Sequence, residues 1–356
     1  MQDTSEVPLS ASSPLPEANP VSSCSVGPAN LVGTKIRGWR LVRLLGVGPV
    51  SAAYEVYAGE GPGGQHAVLK LCTMADKDAQ SFFLRAVYAA NRFRHPRVIP
   101  IIADGADEQG APFVIRPWLE VRSLADAVAE RELRENQVLR IAEQLLDAIE
   151  MAHAHGITHG ALTPHNLLLT PNGSIRLCDF AMTPGADRFA ALRAGPFTAP
   201  ERRITSQACH ARGTEQGDVW SVGACLYFAL SKKPPPTVDA GPLDLSRELP
   251  QTAKAVRAIL EHALHADPIQ RYESAYAMLG DVRRAMSGRA PKLSLAAKPI
   301  PSGGYRAMPG LTPPLGQPVD DALLRIGHPS MTDEARREQW RGNAALILAI
   351  VTLLGV

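Results

Sequence analysis

Two glycines in the segment Leu45-Gly46-Val47-Gly48 lie between apolar, β-branched runs that predict strands. The backbone amides of such a turn can cover phosphate groups, although the same sequence is equally typical of an ordinary hairpin turn. Lys70 follows on the next predicted strand, within the run HAVLKLC. The motifs that follow decide between the two interpretations.

Further motifs follow along the chain, and their order is more informative than any one of them. They are Arg94-His95-Pro96, His159-Gly160-Ala161-Leu162-Thr163-Pro164-His165-Asn166, Asp179-Phe180-Ala181, Ala199-Pro200-Glu201, Asp218-Val219-Trp220-Ser221-Val222-Gly223 and Asp267-Pro268-Ile269-Gln270-Arg271. Each motif alone is degenerate. Together, in this order and spacing, they leave little room for chance.

The elements that must position these motifs change along the chain. Residues 36–122 contain four or five short β-branched runs and one helical pattern, SFFLRAVYAANRF. From residue 123 onward, apolar residues recur three and four positions apart, which predicts helices. Strands followed by helices predict an α+β fold with a small β-rich lobe and a larger helical lobe.

Residues 36–286 resemble the eukaryotic-like protein kinase family, in the style of bacterial membrane-anchored Ser/Thr kinases. The resemblance implies a bilobal protein-kinase-like fold and the ligands ATP and Mg²⁺. It implies nucleotide contacts from Gly46, Gly48, Lys70 and Leu119, with Lys70 on the phosphates and Leu119 presenting backbone groups to the adenine. It also implies that Asn166 and Asp179 would be the two metal ligands, with the oxygen atoms that Mg²⁺ prefers.

Three positions depart from the family pattern where phosphoryl transfer needs charge. Ala161 stands where the family has its catalytic aspartate, and a methyl group cannot accept a proton. Thr163 replaces the lysine that neutralises the transferring phosphate. Ala86 replaces the glutamate that pairs with the phosphate-binding lysine. We therefore predict no catalytic residue in the usual sense, and a pseudokinase with weak or absent binding of ATP and Mg²⁺.

The hinge carries a further departure. Aligned with the family's adenine-binding linker, the segment Phe113–Glu120 places Arg116 where a medium-sized apolar side chain normally closes the nucleotide pocket. An unpaired buried guanidinium would cost several kcal/mol, so Arg116 must find a carboxylate such as Asp179 or turn outward. Pairing with Asp179 would compete with Mg²⁺ for the same oxygen atoms.

Two alternative functions stay open on the sequence. The chain could be an active Ser/Thr kinase with a non-standard catalytic loop, in which His159, His165 or Asp179 replaces the missing carboxylate. It could also be a protein-binding domain that binds no nucleotide. Structural roles are expected for Asp218 and Trp220 as core anchors and for Glu201 and Arg271 as a buried ion pair. The histidines of residues 153–165 lack the spacing of a zinc site.

Composition narrows the class of partner. The 356 residues contain 37 Lys and Arg against 35 Asp and Glu, a net charge of +2, which gives no electrostatic argument for a nucleic-acid partner. The five cysteines form no Cys-x-x-Cys pair, so neither a zinc site nor a disulfide framework is indicated. We expect other signalling proteins as partners.

The two ends of the chain differ in composition from residues 36–286. Residues 1–35 are predicted to be a disordered Ser/Pro-rich tail, and 287–342 are predicted to form a Pro/Gly-rich linker that becomes charged. Residues 343–356 are apolar, but a helix over 344–356 would reach only about 20 Å of a ~30 Å hydrocarbon core. We interpret this segment as the start of a truncated transmembrane helix or as an ordinary helix. The first interpretation, favoured by the preceding arginines, predicts a cytoplasmic domain tethered to the membrane.

Overall fold

The computed structural model describes residues 28–59, 61–90, 94–180, 195–203, 214–236 and 243–294. Six strands form one antiparallel sheet in the order β1-β2-β3-β4-β6-β5. The strands are β1 (Lys35–Ile36), β2 (Trp39–Val47), β3 (Ser51–Ala58), β4 (His66–Cys72), β5 (Ala103–Ala106) and β6 (Pro112–Pro117). Helix α1 (Lys77–Ala90) joins β4 to β5. This is the predicted small β-rich lobe.

The second lobe is mostly helical. Its helices are α2 (Leu124–Glu130), α3 (Glu135–Ala154), α4 (Glu215–Ser231), α5 (Lys254–Ala263) and α6 (Ala275–Met286). A small antiparallel sheet, β7 (Arg122–Ser123), β8 (Leu167–Leu169) and β9 (Ile175–Leu177), lies beside them. The predicted α+β arrangement, a small β-rich lobe followed by a larger helical lobe, is confirmed.

Buried and less buried side chains alternate along the central strand β3, which shows which face of the sheet packs on the core. Along β3, Tyr54 and Val56 are fully buried and pack with Leu41 and Leu69, whereas Glu55 and Tyr57 point to the opposite face. Such alternation is the pattern of a strand with one face on a core. The sheet therefore has a core face and a second face, from which Lys70 projects.

The helical lobe is organised around α3 and α4. Ten residues of α3 are buried, spaced three and four apart as the sequence predicts. Helix α4 is buried nearly all round, with Trp220 1% exposed. The helical pattern from residue 123 forms two helices rather than one, because Arg131 and Arg134 adopt extended backbone conformations at the break.

No helix among the described residues is long and apolar enough to cross a membrane. Of the tail predicted over residues 1–35, residues 28–35 belong to the described fold: Pro28–Leu31 form a short 3-10 helix, and the Pro28 carbonyl accepts a hydrogen bond from the Tyr54 hydroxyl at 2.9 Å. The rest of that tail, the linker predicted over 287–342 from residue 295 onward, and the apolar segment 343–356 lie outside the described residues.

Candidate functional site

Two cationic side chains project from the same face of the large sheet. Lys70 of β4 lies opposite Val114 of β6, and Arg116 of β6 lies opposite Val68 of β4. Because successive side chains of a strand alternate between faces, these four residues share one face. The register of β4 and β6 therefore brings Lys70 and Arg116 together.

A single carboxylate joins these two cations. Asp179 follows β9 and has a backbone φ of 64°, which is uncommon for a residue other than glycine. Its Oδ1 lies 2.6 Å from Lys70 Nζ and 2.5 Å from Arg116 Nη2. We call Lys70, Arg116 and Asp179 the ion cluster; their side chains are 11%, 12% and 16% exposed. The prediction that a buried Arg116 would pair with Asp179 is confirmed.

The members of the ion cluster shift one another's pKa values. Burial alone would raise the pKa of the Asp179 carboxyl, but the positive charges of Arg116 and Lys70 outweigh it and hold that pKa well below its usual range. Burial lowers the pKa of Lys70 and Arg116 lowers it further, whereas Asp179 opposes both. The pKa of the neighbouring Cys178 thiol is raised to about 12, chiefly by burial, so this cysteine is not a thiolate nucleophile at neutral pH.

Asn166 lies on the loop before β8, at the start of a hydrogen-bonded link to Asp179. Its side-chain Nδ2 donates to the carbonyl of Ala161 at 2.8 Å, and its own carbonyl accepts from the backbone N–H of Cys178 at 3.2 Å. The second bond places the residue just before Asp179 beside Asn166. In the part of the chain that the structure describes, no group of three or more His, Cys, Asp or Glu residues could hold a metal ion.

Asp218 holds the loop that carries Ala161. The fully buried carboxylate of this α4 residue accepts hydrogen bonds from the backbone N–H groups of His159 at 2.7 Å and Gly160 at 2.8 Å. Its Oδ2 also lies 2.9 Å from His153 Nε2. The expected structural role of Asp218 follows from these contacts. The ring of His159 is fully buried and packs on Phe180 with centroids 4.4 Å apart.

Two of the positions that depart from the family pattern, Ala86 and Ala161, carry small apolar side chains that pack in the same apolar cluster. Ala86, on α1, lines a cavity of about 10 Å³ together with Arg116, Asp179 and Phe180. Ala161 is partly buried and packs against the apolar cluster that contains Ala86. Neither residue can offer a charge to the ion cluster, so Asp179 is the only carboxylate that contacts Lys70 and Arg116 through a described ion pair.

The glycine turn and the hinge complete the predicted nucleotide contacts. The Gly48 N–H donates to the Ser51 carbonyl at 2.7 Å and closes the turn between β2 and β3. A Cβ added at Gly46 would meet nothing within 4 Å, so a larger residue would fit at this position without a clash with the rest of the protein. Leu119 is half-buried and directly follows the β6 strand and Trp118. Gly46 lies opposite Ala53, which in turn lies opposite Lys70, so these three residues form one row across the sheet.

Comparison with known proteins identifies this arrangement. A profile of the protein kinase domain matches residues 39–280. The chain belongs to the protein kinase domain family. Its kinase domain is 22% identical to the PknI kinase domain of Mycobacterium tuberculosis, with a TM-score of 0.55 over 71% of this chain and 98% of that one.

Curated relatives include bacterial Ser/Thr kinases. The chain is 26% identical over 297 residues to the probable serine/threonine-protein kinase SCO3848 of Streptomyces coelicolor, covering 76% of this chain and 43% of the relative. It is 24% identical to the serine/threonine-protein kinase PrkC of Bacillus subtilis, covering 72% of this chain and 42% of the relative. The chain therefore spans less than half the length of these relatives.

The kinase domain's own residues fit a magnesium–triphosphate poorly. Mg²⁺ demands an octahedral set of oxygen ligands, and kinase domains supply an aspartate and an asparagine. Here Asp179 Oδ1 already contacts two cations, Lys70 and Arg116. The Asn166 amide nitrogen donates to the Ala161 carbonyl, which leaves the Asn166 side-chain oxygen as the one that could face a metal ion. Mg²⁺ at Asp179 Oδ1 would have to displace Lys70 or Arg116, and both cations would repel a metal ion beside them.

One feature of the kinase domain was not predicted. Glu55 lies opposite Val68 on the face that carries Lys70, and it pairs with Arg43 at 2.8 Å and His66 at 3.0 Å. The His66 ring stacks between Tyr57 and Trp118, with centroids 4.3 Å and 4.1 Å apart. The alternation of Ala53, Glu55 and Tyr57 in β3 was the available signal, because it places a charge and a ring on the face opposite the core.

Proposed function

We propose that this kinase domain is a pseudokinase, a signalling module that uses the kinase fold for contacts with other proteins and not for phosphoryl transfer. The ion cluster carries the proposal, because its one carboxylate already pairs with two cations through Oδ1, and these cations oppose the binding of Mg²⁺ there. Ala161 adds to it by removing the group that would orient the attacking hydroxyl. ATP with Mg²⁺ is expected to bind weakly or not at all.

The competing hypothesis of an active Ser/Thr kinase requires another residue to replace the aspartate. His159 is a poor candidate, since its ring is fully buried and burial lowers its pKa. Asp179 is engaged by Lys70 and Arg116. His165 is exposed and is the only one of the three earlier candidates that a protein substrate could reach without rearrangement. An activity that depended on His165 would favour the active kinase.

We expect the purified chain to transfer no radiolabelled γ-phosphate to itself or to generic protein substrates. General-base catalysis alone contributes about 10²–10⁴ in rate, and the charge at position 163 is also missing. The double variant Ala161→Asp/Thr163→Lys should gain at most weak activity, because Ala86 and Arg116 remain. As the control, Asp179→Asn should match the wild type. Incorporation that the wild type shows and Asp179→Asn loses would contradict the proposal.

We also propose that the chain is tethered to a membrane through residues 343–356. The proposal rests on the sequence, in which an uncharged Leu/Ile/Val run follows Arg336, Arg337, Trp340 and Arg341. On this hypothesis the kinase domain faces the cytoplasm.

Fractionation of cells that express the chain with and without residues 343–356 tests the tether. The full chain should sediment with membranes and the shortened chain should not, since burial of the apolar run contributes about 25 cal/mol per Å². A matched control replaces Leu346, Leu348 and Val351 with serine. Equal distribution of all three proteins would remove the membrane proposal.

A further inference from the structure

The ion cluster has more hydrogen-bond donors than acceptors. A guanidinium offers five N–H groups and an ammonium offers three, yet Arg116 and Lys70 converge on one oxygen atom, Asp179 Oδ1. The Nε of Arg116 is buried without a hydrogen-bond partner. An unsatisfied buried donor is costly, and a donor that belongs to a cation more so. The cluster would therefore be stabilised by an additional acceptor.

The charge of the cluster favours an anionic acceptor. Two cations and one carboxylate leave an excess of one positive charge. The two cations also repel each other, and Arg116 contributes to the lowered pKa of Lys70, after the larger effect of burial. Added negative charge would relieve this repulsion. A divalent cation would increase it.

Access to the cluster is limited but not closed. Each of the three side chains keeps more than a tenth of its surface exposed. Gly46, at the turn between β2 and β3, lies in one row across the sheet with Ala53 and Lys70. A side chain at Gly46 would meet nothing within 4 Å. Backbone amides of such a turn can add donors to a bound phosphate.

We propose that the cleft of this kinase domain binds the phosphate chain of a polyphosphate anion without a metal ion, through Lys70 and Arg116. This proposal rests on the proposed function, since an active kinase would need Mg²⁺ at Asp179. Magnesium ions weaken the binding in two ways. Magnesium ions occupy the phosphate oxygens that Lys70 and Arg116 would contact. They also bring positive charge to a cleft whose ion cluster already has an excess of positive charge.

Calorimetry on the full chain tests the proposal with four titrations: ATP in EDTA, ATP in excess Mg²⁺, inorganic tripolyphosphate in EDTA, and adenosine in EDTA. We expect saturable binding of ATP in EDTA that is at least tenfold tighter than in Mg²⁺, and no binding of adenosine. Tripolyphosphate as tight as ATP would identify the phosphate chain as the whole ligand. Weaker binding of tripolyphosphate would show that a nucleotide is preferred.

Two variants assign the binding to the cluster. Arg116→Gln should weaken the binding of ATP in EDTA at least tenfold, and Lys70→Met should do the same. The matched control is Arg122→Gln, which removes an arginine paired with Glu130 at the surface of the helical lobe. It should bind like the wild type. Thermal unfolding of each variant shows whether the fold is retained, and if Arg116→Gln does not fold, Lys70→Met carries the test.

Binding of ATP that requires Mg²⁺ would overturn the proposal, as would the absence of saturable binding of both polyphosphates in EDTA. Binding in EDTA that Lys70→Met leaves unchanged would overturn it too, by placing the anion elsewhere. These failures are distinguishable from failure of the pseudokinase proposal. A chain that binds no metal-free anion and also transfers no phosphate is still a pseudokinase, whereas measured phosphate transfer contradicts the pseudokinase itself.

Discussion

The Arg271→Met variant is expected to lose about 3–5 kcal/mol of its free energy of unfolding, because the substitution breaks a buried ion pair by removing one partner. Arg271 is fully buried, and its guanidinium forms a two-bond pair with Glu201 at 2.8 Å and 2.9 Å. The same guanidinium donates to the backbone carbonyls of His265, Gln216 and Ala266. Methionine fills similar space but leaves Glu201 and three carbonyls without this donor.

Urea unfolding of the full chain measures this loss. The matched control is Arg283→Met, which breaks a 2.8 Å pair with Glu143 whose side chains are 52% and 35% exposed. An exposed pair contributes between about 0 and 1 kcal/mol, so the control should unfold close to the wild type. Similar losses in the two variants would mean that burial does not set the strength of the Arg271 pair.

The large loss of stability expected for Arg271→Met has a structural reason beyond the ion pair with Glu201. Arg271 joins the segment after α5 to the Ala199-Pro200-Glu201 turn and to the first turn of α4 through Gln216. Helix α4 also carries Asp218, which holds the His159–Gly160 backbone. One buried cation therefore supports the elements on which the cleft is built. The sequence predicted the Glu201–Arg271 pair, and the structure confirms it.

The order of motifs was sufficient to predict the fold and the Glu201–Arg271 ion pair. Each motif has a local physical requirement, such as a carboxylate that satisfies backbone N–H groups, and such requirements are visible in the sequence. The pairing of Arg116 with Asp179 was also predictable, because a cation in an apolar wall must find a partner or leave.

The details that escaped prediction depend on distances between strands. Nothing in the sequence states that Lys70 and Arg116 share one oxygen of Asp179 rather than one oxygen each. The stack of Tyr57, His66 and Trp118 needs the register of β3, β4 and the hinge, which alternation within a single strand does not supply. Such contacts depend on the twist and pairing of whole strands.

The Arg116→Met variant is expected to bind ATP with Mg²⁺ at least tenfold more tightly than the wild type, which corresponds to about 1.4 kcal/mol or more of binding free energy. The substitution removes one of the two cations on Asp179 Oδ1, which leaves the carboxylate to Lys70 alone. It also removes the positive charge of Arg116, which adds to the larger effect of burial in lowering the pKa of Lys70. An uncharged side chain of similar length still fills the space beside Ala86.

We expect the charge of Arg116, and not its shape, to weaken the binding of ATP with Mg²⁺. A second substitution separates these two causes. Arg116→Lys keeps the positive charge and should bind ATP with Mg²⁺ as weakly as the wild type. Adding Asp179→Asn to Arg116→Met should cancel the gain, because a neutral amide is a weaker ligand for Mg²⁺ than a carboxylate. Calorimetry in Mg²⁺ on these three variants gives the comparison.

The metal dependence of the Arg116→Met variant should therefore be opposite to that of the wild type. Without Arg116, the cleft has one cation and one carboxylate, and a metal ion can supply the positive charge that the phosphates need. The wild type supplies that charge from its own side chains. If Arg116→Met binds ATP with Mg²⁺ no better than the wild type does, Asp179 is not what limits metal binding, and the missing carboxylates at Ala161 and Ala86 must account for the weakness by themselves.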